Sequence, residues 1–179
     1  MITYVALLRG INVGGHKKIP MVELRNLFSK HGYKNVMTYI QSGNVIFQST
    51  EITISDLKNN IEEVIKTYFG FDVPVLIMPY SKLKTIFNEC PLPKEKKENS
   101  YFMFVYSEPK VSAINEIGGL TGKNEEFYIT KNAIYFCSAK GYGETKFNNN
   151  FFEKKLDITA TARNYKTVLK LLSLCKDLN

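Results

Sequence analysis

The sequence predicts an α+β fold made of two successive βαββαβ units, and three observations predict it. Short runs of apolar and β-branched residues alternate with segments in which apolar residues recur at helical spacing. Turn-forming residues separate these segments. The same order of strands and helices occurs twice along the 179 residues, on either side of a proline- and charge-rich stretch at 91–98.

The first unit is predicted from four short runs rich in β-branched and aromatic residues, with two helices between them. Its strands are predicted at 3–8, 36–40, 44–48 and 73–78. Its helices are predicted from Pro20 to Gly32 and from Ser55 to Gly70. Gln41-Ser42-Gly43 predicts a tight turn between the second and third strands. Pro74 has no amide hydrogen, so we expect it in an edge strand or at the end of a strand.

The second unit is predicted to repeat this order after a helix at 81–90. Its strands are predicted at 101–106, 125–129, 133–137 and 158–162. Its helices are predicted from Pro109 to Gly118, from Phe147 to Lys155 after a second glycine-rich loop at 140–143, and from Tyr165 to Cys175. Split βαβ connections with right-handed crossovers give antiparallel four-stranded sheets, so both units are expected to be ferredoxin-like. The predicted division is 1–79, a connecting helix and linker at 80–99, and 100–179, packed as one compact body.

Composition limits the possible classes of protein. Hydrophobic residues make up 44% and charged residues 23% of the chain, as in globular proteins. No apolar run reaches the roughly 18 residues of a membrane span, and the start at Met1-Ile2-Thr3-Tyr4 is unlike a signal peptide, so we expect a cytoplasmic protein without membrane contact. Three separated cysteines and two histidines predict neither disulfides nor a metal site, and no cofactor is predicted. The net charge of +7 is typical of a solvated lysine-rich surface, which its even distribution favours, or of a nucleic-acid-binding surface.

Several motifs carry a likeness to a known family. They are Tyr4–Gly15, Ile19-Pro20-Met21, Thr38–Val45, Lys146, Glu153–Leu156 and Ala160–Leu171. With these motifs the chain resembles the DUF1697 family, a bacterial domain of unknown function. The resemblance implies a cytoplasmic bacterial protein with two ferredoxin-like halves and no established activity. Ala162, Tyr165 and the pair Glu144-Thr145 depart from the family pattern, which has Thr, Trp and Arg-Ser there.

The loop from Arg9 to Lys18 is the first candidate site. It follows a buried strand and precedes a helix, so its glycines could bring backbone amides to an anion near a helix N-terminus. His16 and Lys18 stand where a phosphate-binding loop has lysine and Ser or Thr, so nucleoside triphosphatase activity is not predicted. In the alternative interpretation the glycines serve left-handed turns and the lysines are solvated. Both interpretations stay open.

Ten residues are predicted to bind an anionic ligand where the two halves meet. They are Arg9, Asn12, Gly14, Gly15, Lys17, Ser42, Asn44, Lys146, Arg163 and Asn164. For Ser42 and Asn44 an interpretation as turn residues is favoured over a ligand role, and for Arg163 with Asn164 an interpretation as a helix-capping cluster is slightly favoured. No nucleophile and base stand in a recognisable pair, so the sequence assigns no catalytic residue and leaves enzymatic activity open. Cys137, on a strand, is predicted to be a core residue.

Three functions are therefore considered. The first is binding of a small anionic or phosphorylated molecule or a nucleotide. The second is nucleic-acid binding, since RNA-recognition motifs share the βαββαβ order and stack bases on sheet aromatics, here Tyr101, Phe102, Phe104 and Tyr106. The usual basic and aromatic signature is absent from Gln41–Phe47, which disfavours it. The third is protein interaction or self-association through sheet edges, with no oligomeric state predicted.

Overall fold

Two four-stranded antiparallel sheets form the framework of the protein, and each lies in its own compact unit. The computed structural model describes residues 1–118, 120, 125–138 and 145–178. The first unit contains Met1–Thr85 and the C-terminal residues from Lys170 onward, and the second contains Ile86–Leu169. The predicted glycine-rich loop at 140–143 lies outside the described residues.

The first unit follows the order strand, helix, strand, strand, helix, strand. Its elements are β1 (Ile2–Leu8), α1 (Met21–Lys30), β2 (Lys34–Tyr39), β3 (Asn44–Ser49), α2 (Ile54–Phe69), β4 (Val75–Pro79) and α3 (Tyr80–Asn88). The strands lie in the order β2-β3-β1-β4, with β1 antiparallel to both of its neighbours. This order confirms the predicted ferredoxin-like unit and places β4, which follows Pro74, at a sheet edge.

The second unit repeats the arrangement. Its elements are α4 (Lys94–Lys97), β5 (Ser100–Val105), α5 (Val111–Ile117), β6 (Glu125–Ile129), β7 (Ala133–Ser138), α6 (Asn149–Leu156), β8 (Ala160–Asn164) and α7 (Tyr165–Lys176). The strand order β6-β7-β5-β8 matches that of the first sheet. The backbone hydrogen bonds at the ends of β1 and β5 correspond as well. In the first unit, Leu8 N donates to Gly43 O and Arg9 N donates to Pro74 O. In the second unit, Val105 N donates to Asn132 O and Tyr106 N donates to Thr159 O.

Three elements of the second unit differ from the prediction. Helix α6 begins at Asn149 and not at Phe147, because Asn148 caps it by accepting from Phe151 N. The stretch predicted as a linker contains a short helix, α4, which begins after Pro93 because proline suits the start of a helix. Strand β8 begins at Ala160, two residues later than predicted. The reason lies in the end of α6, where Asp157 adopts a left-handed conformation and Ile158 N still bonds to Glu153 O.

The central strand of each sheet is buried on both faces. On the helix side of the first sheet, Tyr4 and Ala6 join an apolar cluster with α1 and α2. Leu7, on the opposite face, is also fully buried. In the second sheet Met103 packs with the helices, and Phe102 on the other face is equally inaccessible. Each sheet therefore has no open face along its centre.

Gly43 allows the β2–β3 turn to pack closely against the end of β1. Its φ of 76° is left-handed, and a Cβ atom there would lie 2.7 Å from Leu8 Cβ and 2.9 Å from Ile11 Cδ1. Only glycine adopts this backbone conformation without strain and also fits this close to its neighbours. The turn therefore seats against β1 because residue 43 has no side chain.

We expect Gly43→Ala to destabilise the protein more than Gly10→Ala. Gly10 also has a left-handed φ, 71°, but a Cβ atom there meets nothing within 4 Å. G10A should cost about 1–2 kcal/mol of unfolding free energy through backbone strain alone, and G43A about 1–3 kcal/mol more through overpacking. Urea denaturation measures both. Equal losses in the two variants would contradict the close-packing argument.

Candidate functional site

Seven of the ten predicted ligand residues gather at one end of the first sheet. We call this region the Arg9 end and define it as residues 9–20 and 39–44, which follow β1 and connect β2 to β3. The predicted residues in it are Arg9, Asn12, Gly14, Gly15, Lys17, Ser42 and Asn44. Its segments contain three cationic side chains, Arg9, Lys17 and Lys18, and no Asp or Glu.

The glycines of the Arg9 end close a small hairpin. Val13 and His16 form an antiparallel bridge, and His16 N donates to Val13 O at 3.0 Å. Gly14 and Gly15 occupy the two turn positions with φ values of 58° and 80°, as a two-residue hairpin turn requires. Helix α1 begins only at Met21. The turn geometry accounts for both glycines, and a direct role in anion binding stays a prediction.

Asn12 holds the hairpin to its surroundings. Its Oδ1 accepts from Ile19 N at 2.8 Å, and its Nδ2 donates to Ile19 O at 3.0 Å and to Gln41 O at 2.9 Å. Asn44 is fully buried, and its Nδ2 donates to Tyr39 O and to Ser42 Oγ, each at 3.0 Å. Both amides therefore fasten loops together, which is the structural interpretation that the sequence left open for such residues.

The cationic groups of the Arg9 end are placed differently. Arg9 is half-buried, with its backbone N bonded to Pro74 O at 2.9 Å. Lys17 Nζ donates to the backbone oxygen of Asp72 at 2.5 Å, and Lys18 is exposed. The Asp72 carboxylate pairs with Lys66 at 2.8 Å. The region therefore presents net positive charge at its surface.

The other three predicted residues belong to the second unit. Arg163 lies in β8 with only 7% of its surface exposed, and its guanidinium donates to Thr161 Oγ1 at 2.9 Å and to Ala162 O at 2.8 Å. Burial lowers its pKa to about 10, so it stays charged at neutral pH. Asn164 caps α7, because its Oδ1 accepts from Thr167 N at 2.8 Å. Lys146 is exposed. A meeting of these residues with the Arg9 end stays a prediction.

A cleft of about 920 Å³ opens at one end of the second sheet. We call it the α7 cleft. It is lined by Glu95, Lys96, Glu98, Asn99, Ser100, Tyr101, Glu125, Glu126, Cys137, Ser138, Asn164, Tyr165 and Lys166. Glu125 begins β6 at one sheet edge, and Asn164 ends β8 at the other. Three strand spacings of about 4.8 Å separate these edges, so the two ends of the cleft lie about 14 Å apart.

The charges of the α7 cleft are unevenly distributed. Lys96 pairs with Glu126, whose carboxylate also accepts from Tyr128 OH at 2.6 Å. These hydrogen bonds lower the pKa of Glu126, and the same pair raises the pKa of Lys96. Once that pair is set aside, the lining retains Glu95, Glu98 and Glu125 against Lys166.

Cys137 lines the α7 cleft and is half-buried, where the sequence predicted a core residue. Burial raises the pKa of its thiol, and the charge of Glu126 raises it further. Cys90 and Cys175 are buried. Cys137 is therefore the cysteine most accessible to reagents, yet it is mostly protonated at neutral pH.

Comparison with known proteins places the chain in a family. The family model described as a protein of unknown function, DUF1697, matches residues 1–135. The chain belongs to the DUF1697 family. No curated protein matches it significantly. A solved structure, described as the conserved bacterial protein SP0830 from Streptococcus pneumoniae, is similar over 97% of this chain and 98% of that one, with a TM-score of 0.76 and 26% identity. The DUF1697 assignment confirms the resemblance drawn from the motifs and supplies no activity.

Two further properties of this DUF1697 protein bear on its chemistry. Within the described residues, no helix combines the length and the apolar character that crossing a bilayer requires. In the same part of the chain, no three side chains of His, Cys, Asp or Glu are grouped so as to hold a metal ion.

We expect the alkylation rate of Cys137 to rise at a higher pH than the rate of an ordinary exposed thiol. The thiolate is the reactive form, so a raised pKa moves the midpoint of the rate above that of an ordinary exposed thiol. Glu126→Gln removes one cause of the increase and should lower the midpoint, while burial keeps it above the ordinary value. Glu98→Gln, also in the cleft, is the control. Site-resolved mass spectrometry across alkaline pH measures the rates, and an E126Q midpoint equal to that of wild type would contradict the assignment.

Proposed function

We propose that this DUF1697 protein binds a small molecule bearing an anionic group, and that the α7 cleft is the binding site. The observation that carries the proposal is the cleft itself. Its volume of about 920 Å³ lies within the range of about 300–1,000 Å³ that is usual for small-molecule sites. Its lining combines ionisable groups, hydroxyls and two tyrosines from five separate segments of the second unit. A cytoplasmic bacterial setting, as the family resemblance implies, is part of this proposal.

The start of α7 is the better end of the cleft for the anionic group. The first amides of an α-helix have no partner within the helix and carry the positive end of its dipole. The side chain of Asn164 accepts a hydrogen bond from one of these amides, and Lys166, exposed in the first turn, adds a full positive charge. This placement keeps the anionic ligand class and the residue Asn164 that the sequence predicted.

The opposite end of the cleft favours a different ligand group. Glu125 lies at the β6 edge, and Glu95 and Glu98 contribute two further exposed carboxylates to the lining of the cleft. A ligand with several phosphates would be repelled there, whereas an amine would be attracted. The cleft therefore fits a small zwitterion, with one anionic and one cationic group, better than it fits a nucleotide.

The nucleic-acid alternative finds less support. RNA-recognition motifs stack bases on aromatic side chains of an open sheet face. Phe102, Phe104 and Tyr135 share the face of the second sheet that lies away from its helices, and each is 0% exposed. Base stacking on this face is therefore blocked, and the basic composition of the chain remains the main argument for the alternative.

We expect ω-amino carboxylic acids of matching length to raise the melting temperature of the protein. Such molecules carry one anionic and one cationic group at a distance set by their chain length. Lys166→Ala should weaken binding of the best of them by about tenfold, which is 1.4 kcal/mol. Glu125→Gln should weaken it similarly. Lys170→Ala, an exposed lysine further along α7, is the matched control and should bind like wild type.

Protection of Cys137 supplies an independent readout. A ligand in the cleft should slow alkylation of this residue in wild type and in K170A, and less so in K166A. The proposal fails if the full series of amino acids, together with simple phosphomonoesters, neither stabilises the protein nor protects Cys137. It also fails if K166A and K170A respond alike.

A further inference from the structure

We propose that the Arg9 end is a docking surface for an acidic segment of a partner protein, with Val13 and Ile40 as its apolar anchors. The surface lies in the first unit and shares no residue with the α7 cleft, so it does not rest on the function proposed above. Three observations carry it, namely a strained and exposed isoleucine, a second exposed apolar residue on the adjoining loop, and a one-sided charge.

Ile40 occupies an unfavourable backbone conformation. Its φ of 48° is left-handed, where a β-branched side chain is a clear outlier, and the strain is of order 1–2 kcal/mol. The residue is 50% exposed, so packing of its side chain offsets little of that strain. Asn or Gly would relieve the strain at this turn position. A strained, solvent-facing isoleucine therefore indicates a role outside folding.

Val13 presents a second apolar group beside it. Val13 is 64% exposed at the base of the Gly14-Gly15 turn. Asn12, which precedes Val13, donates to the backbone oxygen of Gln41, which follows Ile40. This hydrogen bond therefore joins the two loops that carry the anchors. Exposed apolar residues also occur close together at Met1 and Ile2 and at Ile52 and Ile54. The pair at the Arg9 end differs from these in lying in segments that carry cationic side chains and no Asp or Glu.

The charge of the Arg9 end defines the chemistry of the partner. Its segments carry Arg9, Lys17 and Lys18 and no carboxylate; of the neighbouring carboxylates, Asp72 is paired with Lys66 and Glu62 accepts from Val75 N. A complementary partner is therefore acidic. The anchors lie on exposed loops, whereas small molecules are bound in concave sites, so a macromolecule fits better. Aliphatic anchors match apolar side chains of a polypeptide, whereas nucleic acids are stacked on aromatic ones.

The loops are also pre-organised. The three hydrogen bonds of Asn12 and the close approach of Gly43 to Leu8 hold both anchors in fixed positions. Little ordering of the surface is then needed on binding, which favours affinity. The partner is thus an acidic segment that places apolar side chains between its carboxylates.

Peptides labelled with fluorescein test this proposal by anisotropy. The probes are a peptide of alternating glutamate and leucine, an all-glutamate peptide and a peptide of alternating lysine and leucine. We expect the first to bind wild type most tightly, with affinity that falls as salt rises. Ile40→Asn should weaken it about tenfold while raising the melting temperature, because Asn tolerates the left-handed conformation. Lys18→Ala should weaken binding and reduce its dependence on salt.

Matched controls lie at the other end of the first sheet. Ile52, also exposed, follows β3, and Lys30 ends α1, so I52N and K30A should bind like wild type. Should I40N prove less stable, Val13→Ser on the exposed hairpin supplies the second variant and should weaken binding equally. The proposal is overturned if the glutamate–leucine peptide does not bind, or if both I40N and V13S bind it like wild type. It is also overturned if only single-stranded RNA, anionic vesicles or a second copy of the chain occupies the surface.

Discussion

Burial of the central strands on both faces is the constraint on which the rest of this structure depends. Val5 and Leu7 in β1, and Phe102 and Phe104 in β5, are inaccessible to solvent although they face away from the helices. Polar groups on these faces must therefore be satisfied within the protein. Gln48 illustrates this, since its Nε2 donates to Thr3 Oγ1 at 3.1 Å and to Leu178 O at 3.0 Å. Arg163 meets the same demand through Thr161 and Ala162.

This constraint moves recognition to the ends of the sheets. In an open-faced ferredoxin-like domain the free sheet surface can bind a partner, but here the residues on that surface are buried. Both surfaces argued above lie where strands stop. The Arg9 end lies beyond the last residue of β1, and the α7 cleft lies at the first residue of β5. The two surfaces therefore occupy opposite ends of equivalent strands in the repeated plan, one positive and one carrying several carboxylates.

The order of elements could be predicted because it depends on local patterns. The periodicity of Leu24, Leu27 and Phe28, or the apolar run of β1, is visible in any short window of sequence. The start of β8 could not be predicted, because it depends on how Asp157 ends α6. Helix α4 was hidden in a charge-rich stretch that favours a linker interpretation. Strand ends remain the weakest part of such predictions because tertiary contacts decide them.

The candidate sites show the same division. The sequence predicts Arg9, Lys17 and Ser42 in one site with residues of the second half. The fold brings the three to one end of the first sheet, because the loop after β1 and the β2–β3 turn meet there. The fastening role of Asn12 could not be predicted, because Gln41 lies 29 residues away and only the fold brings it close. The acidic lining of the α7 cleft was missed for a similar reason. Lys96 and Glu126 are 30 residues apart, and the only local signal was the adjacent pair Glu125-Glu126 at the start of a strand.

The distribution of backbone strain adds a physical reason to regard the Arg9 end as functional. Among the described residues, five that are not glycine have positive φ, and three of them lie in this region. Asn12 tolerates that conformation, and its side chain makes three hydrogen bonds that offset the strain. Lys17 and Ile40 have no such intrinsic preference. Strain persists only where surrounding contacts over-determine the backbone, and here Asn12 and Gly43 supply those contacts. The region is therefore a rigid surface held at some cost to stability, which is the property expected of a place selected for binding.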